Sequence, residues 1–393
     1  MTTSGSKCVP FINTTTDAQL ATQFYKDCEL VRLNLLSFDN LHPSIPVACM
    51  RWIDAGTDGL GQAKPDSKWL NSFLSQFGSA VHLRDPQFQG KPDKDLVRKF
   101  VESVLGSCQE KTPDWISVPQ LPYETDATRN KINRSLAEET RNWRYESGGD
   151  SRFVLPIILT HQAQTNSKTV RNRKVQLAAE CFARSGADGY WVVDHTLNDV
   201  EGSPSFEKRV VGLLRMQEEL EAKIGQRARV RVVGPYWGLG FLLWAKGLTE
   251  YMGVGLGNAY TYYLPGGHKS PGRKRIALPG LYRLATLSNE FGDWISRVID
   301  EMPPDPLRAD YINLSQRIQS YLVDDIGRRR QIAKFHRGWY DGISHVPSAG
   351  RSLALFQKLS SAYVFGTALP SLPAREVARR PESVAKLLMM HCL

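Results

Sequence analysis

The stretch "SGADGYWVVDHTLND", residues 185–199, decides how the rest of the chain is read. Gly186 suits a helix end, because a glycine adopts the left-handed capping conformation without strain. Tyr190 to Val193 then form an uninterrupted apolar run, as in a strand buried on both faces. The run stops at Asp194 and His195, with Asn198 and Asp199 just beyond. Two ionisable groups ending an apolar strand are costly unless they are partnered or put to use.

The same pattern recurs on both sides. "PVACMRWIDAG" (46–56) reads as a first strand, ending in Asp54, and "SAVHLRDP" (79–86) as a second. "DWISVPQLPY" (114–123), "FVLPIILTHQ" (153–162) and "GYWVVDH" (189–195) read as the third to fifth. "ARVRVVGPYWG" (228–238), "YMGVGLGNAY" (251–260) and "RIALPGL" (275–281) complete the set. Helical spacing fills the gaps: Leu96, Phe100 and Val104 share one stripe, and Phe206, Val210, Leu213 and Leu220 another. A long polar helix opens at Asp126, and "KVQLAAECFARSG" runs into Gly186. Strand–helix alternation of this kind implies parallel strands with helical crossovers. About eight such units over some 250 residues indicate an α/β fold, a (β/α)8 TIM barrel. An open doubly wound sheet is the runner-up, but no G-x-G-x-x-G follows the first strand. The expected organisation is an N-terminal segment packed on the barrel (1–45), a catalytic barrel (46–287) and an appended C-terminal helical region (288–393).

At 393 residues, 41% hydrophobic and 23% charged, the chain has the composition of a globular protein with a large core. No apolar run reaches the length of a membrane span, and the N-terminus lacks the layout of a signal peptide. The six cysteines are scattered without a C-x-x-C and read as reduced thiols, so a cytoplasmic location is expected. No metal is expected either: the H-x-H that opens barrel metal sites is absent. The formal net charge is +10, which suits a polyanionic partner, above all nucleic acid. "KTVRNRK" (168–174), "GGHKSPGRKR" (266–275) and "GRRRQIAKFHR" (327–337) concentrate that charge. Lys168, Arg171, Arg173, Lys174, Lys269, Arg273 and Lys274 are therefore candidates for phosphate contacts. No membrane partner is expected, and the oligomeric state is not legible.

In a barrel, the C-terminal strand ends converge on one mouth, where catalysis occurs. The residues so placed are Asp54 and Asp58, Asp85, Gln120, His161 and Gln162, Asp194 and His195. Tyr236 and Trp237 follow, then Asn258, Tyr260, Tyr262 and Tyr263. Asp85, standing before Pro86, equally suits a turn, and Asp199 equally suits a helix cap. Asp54, Asp194 and His195 are the catalytic candidates, with the two carboxylates expected to face one pocket. Gln120, His161, Gln162, Tyr236, Trp237, Asn258, Tyr260 and Asp85 are expected to contact substrate.

"MRWIDAG" with its glycine-rich continuation resembles a strand end of the tRNA-guanine transglycosylase superfamily. "DWISVPQLPY" is similar to the segment with which that family reads its base, and "VRVVGPYWG…GLTEYMGVGLGNAY" to its late strand–helix–strand unit. The resemblance spans roughly residues 46–285 in layout. It implies a (β/α)8 barrel that breaks the N-glycosidic bond of a nucleobase in nucleic acid, with Asp54 in acid–base work. Within that superfamily the chain resembles a DNA-directed member such as an anti-phage DNA glycosylase, which implies removal of a modified base in antiviral defence. Three departures bear on the activity. Gln120 stands where the family has its base-reading carboxylate; no Asp occurs in "YMGVGLGNAYTYY", where the nucleophile would fall; the zinc cysteines are missing.

The expected function is a nucleic-acid N-glycosidase, a DNA glycosylase leaving an abasic site, with DNA favoured over RNA and no cofactor. Base flipping would bring the target base onto Tyr236, Trp237 and Tyr260. The alternatives are a base-exchanging transglycosylase, a small-molecule barrel enzyme using a flavin or sugar, and a catalytically dead nucleic-acid binder.

Overall fold

A computed structural model describes residues 5–41, 49–61, 67–78, 93–124, 127–161, 163–195, 197, 205–257, 262, 274–374, 376 and 378–393. Eight parallel strands close into a barrel in chain order. They are β1 (Cys8–Ile12), β2 (Leu30–Asn34), β3 (Met50–Asp54), β4 (Trp115–Ser117), β5 (Arg152–Leu159), β6 (Gly189–Asp194), β7 (Val230–Val233) and β8 (Tyr251–Gly255). β8 returns to β1 in register Cys8 with Met252, which leaves the sheet no open edge.

The barrel fold is as read, but its strand set is shifted toward the N-terminus. The strand ending in Asp54 is third, not first. The first two, β1 and β2, lie in the segment expected only to pack on the barrel. They are five residues each and carry Pro10 and Arg32 inside them, which breaks the apolar run that marks a buried strand. The expected strand at 79–86 lies outside the described residues. The expected eighth strand is not part of the barrel: Arg275–Ala277 pairs antiparallel with Leu284–Thr286 in a separate two-stranded sheet.

Helices fill the wall between the strands. α1 (Thr15–Phe24) opens with a capping box of Thr14 and Asp17. After it in chain order come α2 (Phe38–Leu41), α3 (Lys68–Gln76), α4 (Lys94–Gln109), α5 (Ala127–Ser147), α6 (Ala163–Asn166), α7 (Lys168–Ser185), α8 (Phe206–Ile224) and α9 (Gly238–Ala245). Gly186 caps α7 at φ 63°, the left-handed conformation its position required.

The C-terminal region adds α10 (Asn289–Glu301), α11 (Pro306–Tyr321), α12 (Asp325–Ser344), α13 (Ser348–Thr367) and α14 (Ser383–Met389). It does more than sit beside the barrel. α12 packs on α1 and α13 on α9, so these helices complete the wall over β8. The Tyr25 hydroxyl meets His336 Nδ1 at 3.0 Å. Burial pulls the pKa of His336 down to about 3, which leaves a neutral ring in the seam. Arg329 of α12 donates to the Leu256 carbonyl at the end of β8 and pairs with Asp17 of α1. A second apolar core, including Ile276, Phe291, Trp294 and Tyr311, holds the two-stranded sheet against α10 and α11. Among the described residues, no helix is long and apolar enough to cross a membrane.

Candidate active site

Strand geometry sets the site. Phe11 of β1, Trp52 of β3 and Trp191 of β6 come from non-adjacent strands yet touch, with centroids 5.2–5.8 Å apart in edge-on geometry, so their side chains point into the barrel. Gly253 makes room for them: a Cβ there would stand 3.0 Å from the Gly234 carbonyl carbon and 3.1 Å from the Phe11 ring. Side chains alternate along a strand. Asp54, two residues beyond Trp52, therefore also points inward at the C-terminal end.

Above this aromatic floor sits a buried polar cluster. Arg32 of β2 donates through Nε to Asp54 Oδ2 at 2.9 Å, with its Nη2 on the same oxygen. Asp54 Oδ1 accepts from the Gly56 N–H at 3.1 Å. The remaining Arg32 nitrogen, Nη1, donates to Asn13 Oδ1 at 3.2 Å. The guanidinium lies 4.9 Å from the Phe11 centroid, 5.5 Å from Trp191 and 5.6 Å from Tyr262, a cation held in an aromatic box. Asp58, in the turn after β3, accepts from the Tyr262 hydroxyl at 2.6 Å. Burial, then the charge of Asp54, push the Asp58 carboxyl up to about 7, against the pull of Tyr262 and Arg32. Tyr262 itself is pushed well above its ordinary range by burial and by Asp58, so its hydroxyl keeps its proton. His195 Nδ1 lies 3.1 Å from the Tyr262 carbonyl, which only accepts, so the Nδ1 carries the proton of that bond.

The arrangement separates two carboxyl groups by environment. Asp54 has a cation against it; Asp58 has a phenol and a low-dielectric setting. A carboxyl poised near neutral pH can give and take a proton, and its ion-paired neighbour supplies fixed negative charge.

The expectation that Asp194 shares this pocket is corrected. Trp191 points inward, so Asp194, three residues on, points outward into the helix layer. There its Oδ1 lies 4.0 Å from Arg209 Nη2 of α8, and its Oδ2 accepts from Thr165 at 3.4 Å. His195 has the opposite parity and reaches the interior cluster. Tyr236 and Trp237 are buried rather than open to a base. The Tyr236 hydroxyl accepts the Asp194 backbone N–H, and the Trp237 ring packs 5.7 Å from His336.

Gln120 is also spoken for. Its side-chain nitrogen donates to the carbonyls of Pro119 and Asn133, and its oxygen accepts from Tyr123, which anchors the loop after β4. His161 is exposed, and its Nδ1 accepts from the Ala163 N–H at the start of α6. Gln162, Asn258, Tyr260 and Asp85 lie outside the described residues, as do Lys269 and Arg273.

Of the basic candidates, Lys168 and Arg173 are exposed. Arg171 and Lys174 are buried, contrary to a role at a phosphate surface. Arg171 pairs with Glu219 at 3.0 Å and donates to the Thr165 carbonyl. Lys274 donates to the Leu322 carbonyl.

Arg32 was not foreseen, and Asp58 and Tyr262 were foreseen at the mouth without a role. The available signal for Arg32 was a lone charge inside the apolar pentapeptide "LVRLN". Among the described residues, no three His, Cys, Asp or Glu side chains group so as to hold a metal ion, and Cys8, Cys28, Cys49, Cys108, Cys181 and Cys392 are buried and not joined in disulfides. No known family model and no curated protein matches the sequence, and function is therefore read from the chemistry of the barrel mouth.

Proposed function

We propose that this protein is a nucleic-acid N-glycosidase, a DNA glycosylase that removes a nucleobase and leaves an abasic site. The observation that carries the reading is the asymmetric carboxyl pair at the catalytic end of the barrel. Asp58 holds a proton near neutral pH beside an Asp54 that is ion-paired to Arg32. N-glycosidic cleavage needs that division of labour. Asp58 gives its proton to the leaving base, the C1′–N bond breaks with its electron pair on the base, and the sugar becomes cationic. Asp54 stabilises that cation. Water then adds to C1′ and returns a proton to Asp58.

Tyr262 positions Asp58, and His195, bonded to the Tyr262 carbonyl, positions Tyr262. The inward-facing rings supply an apolar setting in which these charges act strongly. A target inside a duplex must first leave the stack, and the net charge of +10 favours the polyanion that carries it. The resemblance of "MRWIDAG" to base-exchanging barrels points the same way, while the missing zinc cysteines favour plain removal of the base. A cytoplasmic role in antiviral defence follows if the base removed marks foreign DNA.

The test is incubation with DNA carrying ordinary and modified bases, followed by mass spectrometry of released base and mild alkali to cut abasic sites. Free base together with alkali-sensitive strands is expected. Intact DNA across the whole set of bases, from protein that binds it, removes the proposal.

A further inference from the structure

On the outer wall, α7 forms the floor of an open trough of about 720 Å³ between α5 and α8. Its lining includes Asn130, Arg134, Lys168, Arg173, Lys223 and Glu219. The acidic group is already neutralised, since Glu219 pairs with the buried Arg171. Arg134 is likewise matched by Glu180 at 2.7 Å. Among the described residues, the Lys223 side chain donates to the neutral Gln176 at 3.2 Å and to no carboxylate. Among the described residues, Lys168 and Arg173 have no acidic partner, and both are exposed. The trough thus presents three uncompensated cations.

Its position matters as much as its charge. Lys168 is the first residue of α7, which follows β5, and Asn130 stands in the first turn of α5, which follows β4. α5 runs back from the C-terminal end of β4, and α7 from that of β5 after the short α6, so one end of the trough lies near the rim of the mouth and the trough runs from there down the outer wall to Lys223 in the last turn of α8. From Lys168 to Leu177, α7 rises about 14 Å at ~1.5 Å per residue, enough to follow several phosphates of one strand.

We infer that this trough binds the phosphate backbone of DNA beside the nucleotide presented to the mouth, with Lys168, Arg173 and Lys223 as the phosphate contacts. The inference rests on the N-glycosidase reading for its choice of polyanion. It replaces Arg171 and Lys174, which are buried in α7, with Lys223 from α8.

Binding of a fluorescein-labelled DNA duplex, followed by anisotropy over a range of salt, tests it. The variants are Lys168→Glu/Arg173→Glu and, as a control of equal charge change at exposed positions outside the trough, Lys26→Glu/Arg317→Glu. The trough variant should bind about tenfold or more weakly at low salt, and its log–log salt slope should be shallower by ~1.8, the share of two phosphate contacts. The control should bind like the natural protein, and circular dichroism should show both variants folded.

A trough variant that binds as tightly as the natural protein overturns the trough and leaves the nucleic-acid reading standing. Natural protein that binds no DNA at low salt overturns both. DNA bound through the trough, with no base released from it, removes the glycosidase and keeps the trough.

Discussion

Replacing Asp194 by alanine should cost stability and spare chemistry. Asp194 and Arg209 are both fully buried, with their charged atoms 4.0 Å apart on the outer face of β6. At an effective dielectric of about 20, that separation is worth roughly 4 kcal/mol of attraction, offset by the cost of burying both ions. The alanine variant loses the attraction and keeps the burial cost of Arg209. Removing one partner of such a pair costs about 3–5 kcal/mol. Loss of the Thr165 hydrogen bond adds to this.

Urea unfolding followed by tryptophan fluorescence should therefore show a large fall in the midpoint for Asp194→Ala and a smaller one for Asp194→Asn. Asp194→Ala/Arg209→Met should recover part of the loss, because the buried guanidinium is then removed together with the carboxylate it faces. Base release per folded molecule should stay near the natural rate. An Asp194→Ala protein as stable as the natural one but unable to release base would refute the assignment of Asp194 to the outer face.

Further expectations follow from the interior cluster. Base release should slow as pH rises through about 7, where Asp58 loses its proton, and Asp58→Asn should remove that dependence. Stability should fall as pH rises from about 4 to about 7 and then level off. The Asp58 pKa is higher folded, at about 7, than the ~3.9 of an unfolded Asp, so between them the folded state binds more protons and loses ground as pH rises. Urea midpoints measured at about pH 5 and about pH 8, with Asp58→Asn as the flat control, check this. Arg32→Met should destabilise by about 3–5 kcal/mol by leaving Asp54 buried without its cation, and thermal unfolding reads the loss directly.

The fold was legible because strand–helix alternation survives in composition: "FVLPIIL" and "GYWVV" are too apolar for a surface and too short for core helices. The entry into the barrel was not, since Pro10 and Arg32 interrupt β1 and β2, and neither short run stands out. The facing of Asp194 and His195 was hidden for a related reason. A parallel strand buried on both faces is apolar on both, so alternation shows that the two residues point oppositely but not which is inside. Only the meeting of Trp191 with Phe11 and Trp52 decides it.

The burial of Arg171 and Lys174, by contrast, was readable. They stand at helical spacing from Val175, Ala178 and Phe182 on the buried stripe of α7, and that period outweighs the charge run they belong to. Asp58 could be placed near the mouth from "IDAGTDG", but its proton affinity is set by its burial and by the charge of Asp54, and it is tempered by Tyr262, some two hundred positions later in the chain.

The most direct test of the account compares Asp58→Asn with Asp194→Asn in base release from DNA, at a temperature where both are folded. The mouth cluster as the site of chemistry requires Asp58→Asn to lose about 10²–10³ in rate, the usual consequence of removing a preorganised catalytic group, while Asp194→Asn stays near the natural rate. Full activity in Asp58→Asn with loss in Asp194→Asn would contradict it.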